Sequence, residues 1–69
     1  MVDYRKIVGR NVRALREQQQ LSQEELGFKA EIDRTYISGV ERGVRNPTVT
    51  VLARIGKALG VKPSKLFDS

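Results

Sequence analysis

Residues Leu21–Gly43 read LSQEELGFKAEIDRTYISGVERG, and this stretch decides the fold. Ser22-Gln23-Glu24-Glu25 has the Ser-x-x-Glu spacing of a capping box. The Ser22 hydroxyl can accept from the Glu25 amide while the Glu25 carboxylate reaches back. Leu21 before the cap and Leu26 after it are placed as a hydrophobic staple. A helix is therefore expected from Gln23 to about Ala30. Asp33 is a second N-cap candidate. Ile37 and Val40 then share one face of a helix over Arg34–Arg42, and Gly43 suits a left-handed stop. Only Glu31-Ile32 separates the two helices. Two short helices joined by so tight a turn form a helix-turn-helix unit, here over residues 22–43.

The flanks extend the same pattern. Asp3 to Gln19 contains Val8, Val12 and Leu15 at helical spacing, with Lys6, Arg10 and Arg13 on the opposite face. Asn46-Pro47 breaks the chain. Thr48 can cap a further helix whose inward residues are Leu52, Ile55 and Leu59, and Gly60 ends it. Pro63 suits the first turn of a short last helix through Leu66. Nothing alternates with period two over any length, so no sheet is expected. The expectation is a single all-α domain over residues 1–69, a compact bundle of about five short helices.

Composition narrows the function. The 69 residues include no Cys and no His, which excludes disulfides, thiol nucleophiles, zinc fingers and imidazole acid–base catalysis. No Gly-rich phosphate loop is present, and adjacent Glu24 and Glu25 diverge on a helix rather than converge on a metal. Neither an enzyme nor a bound metal, cofactor or small molecule is expected. Met1–Arg10 lacks an apolar signal-peptide core, and Val51-Leu52-Ala53 is far too short to span a membrane. A cytoplasmic protein is the expectation. Thirteen basic against eight acidic residues give a charge of +5. That bias favours polyanions, although solubility alone also accounts for it.

The second helix of the unit carries the sharper signal. Opposite Ile37 and Val40 stand Thr35, Ser38, Gly39 and Arg42, with Arg34 at the edge. These residues are small or basic, with no acid and no large apolar group among them. Arg can donate twice to guanine, and Thr offers a hydroxyl and a methyl, so this face suits a major groove. The other reading is an ordinary solvated face.

Together, Leu21–Leu26, Ile32–Ser38, Glu41-Arg42-Gly43, Pro47-Thr48 and Ala58-Leu59-Gly60-Val61 resemble the Cro/Xre-type helix-turn-helix domain of lambdoid phage repressors and bacterial regulators. The run Asp33–Arg42 is similar to that of restriction–modification controller proteins. The resemblance covers about Ile7 to Phe67. It implies a lambda-repressor-like fold and a dimeric regulator of double-stranded DNA, acting on a palindromic operator in the nucleoid. It further implies base reading by Arg34, Thr35, Ser38 and Gly39, and a phosphate or base-edge contact by Gln23. Tyr36 would approach the backbone or a deformable step, or else serve as a core-edge aromatic. Arg42, Arg45 and Asn46 would clamp phosphates. Arg16 and Glu41 would form a partly buried ion pair that holds Arg16 near a phosphate. Arg10 and Arg13 read as solubility charges.

The sequence departs from that pattern at Glu31, Gly27 and Gly56, where Gly, Ala and Ala are usual, and Phe28 falls on the outer side of its helix. A longer polar reader often stands where Gly39 does. Apolar candidates for a homodimer surface are Val44, Val49, Val51, Val61, Leu66 and Phe67, some of which must instead be core. The alternative is an adaptor or antitoxin-like interaction module of the same fold.

Overall fold

The computed structural model describes residues 1–69. Four α-helices run α1 Tyr4–Gln18, α2 Gln23–Ala30, α3 Arg34–Glu41 and α4 Val49–Leu59. A 3₁₀ turn over Pro63–Phe67 follows. The fifth expected helix is thus not an α-helix. The residue before it, Lys62, makes no side-chain cap. The closing bonds of the turn are of the i→i+3 kind, such as Lys65 N to Lys62 O at 2.9 Å.

Each boundary follows from a local cause. Asp3, Ser22, Asp33 and Thr48 all accept a backbone N–H at a helix start. At Ser22 the box is complete: Glu25 N donates to Oγ at 3.0 Å, and Ser22 N donates to the Glu25 carboxylate at 2.8 Å. The Ser22 backbone donor, then the hydroxyl, hold the Glu25 carboxyl below its ordinary pKa. Helix α3 ends one residue earlier than expected. Arg42 is its C-cap, and Gly43 beyond it turns left-handed with φ 75°.

Glu31 makes the turn between α2 and α3 in the left-handed region, at φ 58° and ψ 45°. An L side chain there costs about 1–2 kcal/mol. Glu31→Gly is therefore expected to raise the unfolding free energy by about 1 kcal/mol, measured in urea. A loss of stability would mean that the Glu31 side chain contributes more than its backbone costs.

One core joins all five elements. Val8 and Val12 meet Leu26, Ile37, Val40, Leu52, Ile55, Leu59 and Leu66. Leu66 is fully buried, so it belongs to the core and is removed from the dimer-surface candidates. Its segment is too short to show a period, and only the packing reveals which way it faces. Val51 and Val61 are half-buried against the same core. Val44, Val49 and Phe67 are exposed.

Polar side chains tie the ends together. Asn11 Nδ2 donates to the carbonyls of Leu66 at 2.9 Å and Asp68 at 2.6 Å. Gln19 Nε2 donates to the Leu59 carbonyl at 2.7 Å. Helices α1 and α3 approach backbone to backbone at Gly9, where a Cβ would lie 2.7 Å from the Glu41 carbonyl oxygen.

Candidate nucleic-acid interface

The core face of α3 fixes what its other face presents. Ile37 and Val40 are buried, which leaves Arg34, Thr35 and Arg42 exposed and Ser38 half-buried on one stripe. Asp33 Oδ1 accepts from Thr35 N at 2.7 Å, and this cap sets the angle at which Arg34 and Thr35 leave the turn. The stripe contains no acidic residue.

Gly39 is not on that exposed surface. It is buried, and a Cβ built there would lie 2.5 Å from Arg45 Cγ. The Gly39 carbonyl accepts from Val44 N at 3.0 Å and Arg45 N at 3.2 Å, which folds the loop back over the helix. The Arg45 stem thus occupies the place of a residue-39 side chain, and Gly39 supplies no reading group of its own. The guanidinium of Arg45 continues over Tyr36, 5.6 Å from the ring centroid, within cation–π range. Tyr36 is half-buried and packs on the core edge. Arg45 and Asn46 remain exposed beside it.

Arg16 and Glu41 come together between α1 and α3. Arg16 Nε donates to one Glu41 oxygen at 2.6 Å and Nη2 to the other at 2.9 Å. Arg16 Nη1 donates to the Leu21 carbonyl at 2.8 Å. The side chains are only 12% and 3% exposed. The hydrogen bonds to Glu41 raise the Arg16 pKa above its ordinary value. With three donors committed inside the protein, Arg16 acts as a strut and does not stand among the free surface cations.

Gln23 joins the same carboxylate, donating from Nε2 to Glu41 at 3.1 Å. One acid on α3 therefore holds side chains from both α1 and α2. The family resemblance implied a phosphate or base-edge contact for Gln23. Its half-buried position at the first turn of α2 comes from this third partner, which no spacing within α2 could reveal.

A feature that the sequence reading set aside lies along α1. Lys6, Arg10 and Arg13 share an open groove with Arg42 from the end of α3. Elsewhere, no helix is long and apolar enough to cross a membrane.

Comparison with known proteins agrees with this geometry. The family model described as helix-turn-helix matches residues 12–66, which include the whole α2–turn–α3 unit. The chain belongs to the helix-turn-helix family. Among its relatives is Control protein C.BamHI of Bacillus amyloliquefaciens, 45% identical over 93% of this chain and 80% of its own. Control protein C.SmaI of Serratia marcescens is 42% identical over 96% and 79%. The crystal structure of the restriction-modification controller protein C.AhdI from Aeromonas hydrophila superposes with a TM-score of 0.89 at 40% identity. It covers 91% of this chain and 96% of that one. These helix-turn-helix relatives are regulators, and the family is not one of enzymes.

Proposed function

We propose that this protein is a sequence-specific regulator of transcription that binds double-stranded DNA as a homodimer. It works in the cytoplasm on nucleoid DNA, as the controller of a restriction–modification system. The observation that carries this reading is the stripe Arg34, Thr35, Ser38 and Arg42 on α3. It is free of acids and large apolar groups, and Arg45 and Asn46 border it. Membership in the helix-turn-helix family and the named control proteins among its relatives support it.

In this reading α3 enters the major groove. Arg34 and Thr35 at its N-terminal turn meet base edges, with Ser38 one turn on. Arg42, Arg45 and Asn46 meet phosphates, and Tyr36 stacks under Arg45 at the edge of the surface. Gln23 and the free amides at the start of α2 face the backbone. A single α3 reads few bases, so two copies are needed, with half-sites about 34–36 Å apart or less. Exposed Val44, Val49 and Phe67, with half-buried Val51 and Val61, are the apolar residues available for the contact between copies.

Selection of bound duplexes from genomic DNA tests the reading. An inverted repeat should be enriched, with a salt slope near −7 for about eight phosphates per dimer. Binding without sequence preference, or none, would shift the function to an interaction module. Arg34→Ala is expected to cost about 1–3 kcal/mol on the enriched site and to relax preference at one base pair per half-site. An equal loss on all duplexes would remove Arg34 from the base readers.

A further inference from the structure

Resting on the DNA-binding reading above, the geometry points to a second backbone-phosphate site, the groove between α1 and the C-terminal end of α3. Lys6, Arg10 and Arg13 line one wall and Arg42 the other. Two acids also reach this groove, and each is occupied. Glu41 is held by Arg16 and Gln23. Glu17 accepts from Arg13 Nε at 3.3 Å. Lys6, Arg10 and Arg42 enter into no ion pair within the chain. All three are exposed, so their charges face outward together.

Two features favour a nucleic-acid strand over a small anion. First, Arg42 stands at the end of the α3 stripe and also lines the groove, so the groove continues the reading face. Second, the cations are spread along a line. Lys6 to Arg13 is seven residues, or about 10 Å of helix. That length is enough to reach two neighbouring phosphates of one strand. The α1 charges thus serve as contacts that follow the backbone outward from the bases met by α3, and each protomer gains about two phosphates.

The test compares two double variants that remove the same charge. Lys6→Ala with Arg10→Ala removes the two unpaired cations from the α1 wall and leaves Arg13 with Glu17. Arg54→Ala with Lys57→Ala removes two exposed cations from α4, which line a separate groove. Both are assayed on the duplex enriched by the unsubstituted protein, across a salt series and by phosphate-ethylation interference. The α1 pair is expected to flatten the slope by about 1.8 per protomer, or about 3.6 for the dimer, and so to weaken binding by at least about a hundredfold at low salt. Interference should also vanish at specific phosphates. The α4 pair should change affinity less than about threefold, as a screened distant charge would. Equal losses for the two pairs, or an unaltered interference pattern, would overturn the site and leave the regulator reading standing. If the unsubstituted protein enriched no duplex, both readings would fall together.

Discussion

Glu41→Ala is expected to cost about 3–5 kcal/mol of folding stability, the usual result of leaving one partner of a buried pair uncompensated. A chain of 69 residues has only about 3–10 kcal/mol to lose. The melting temperature should fall by about 12–40 °C, at about 4–8 °C per kcal/mol for a domain this small. The cause is geometric. Glu41 is 3% exposed and accepts from Arg16 twice and Gln23 once. Truncation leaves the Arg16 guanidinium facing a cavity with two bonds gone. It also releases the first turn of α2 from α3. Thermal and urea unfolding followed by circular dichroism measure the loss. The double change Arg16→Met with Glu41→Leu isolates the cause, because an apolar pair of similar size should recover most of the stability. A loss below about 1 kcal/mol for Glu41→Ala would mean that the pair behaves as a surface salt bridge.

Gly9→Ala should show the opposite of the usual sign. In an ordinary helix interior this change stabilises by about 1 kcal/mol, since alanine is the better helix former. Here the added methyl would collide with the Val40 carbonyl oxygen and lie 2.7 Å from that of Glu41. Both are backbone atoms on α3, so no side chain can swing aside. The helices must separate, at a cost of about 2–3 kcal/mol. The shift also moves α3 relative to α2, so DNA affinity should fall even at temperatures where the variant is fully folded. A stabilised Gly9→Ala would show that α1 and α3 pack more loosely than the backbone contact requires.

The features legible in the sequence are those made within a few residues. The Ser22 box, the Asp33 and Thr48 caps and the Gly43 and Gly60 stops depend on neighbours in the chain, and their spacing announced them. The period of Val8–Val12, Ile37–Val40 and Leu52–Ile55–Leu59 placed most of the core. Contacts between distant elements were less accessible. Gly39 looked like a gap in a polar face because its occupant, Arg45, comes from the following loop. Leu66 could not be sorted between core and dimer surface, because its segment is too short to show a helical stripe. The groove that Arg10 and Arg13 share with Arg42 was not visible in the sequence, because Arg42 lies beyond another helix. The pairing of Arg16 with Glu41 was suggested by family resemblance. The attachment of Gln23 to that pair required coordinates.

The seat of Leu66 also bears on when the molecule becomes whole during synthesis. Its side chain closes the core, and its carbonyl holds Asn11, 55 positions earlier. A ribosome adding about 5–20 residues per second finishes α1 to α3 well before it supplies that plug. Until residue 66 has emerged, the nascent helices lack the contact that joins the first of them to the 3₁₀ turn. The core stays open until Leu66 is supplied, so a product ending before it is expected to be cleaved faster in limited proteolysis than the 69-residue chain.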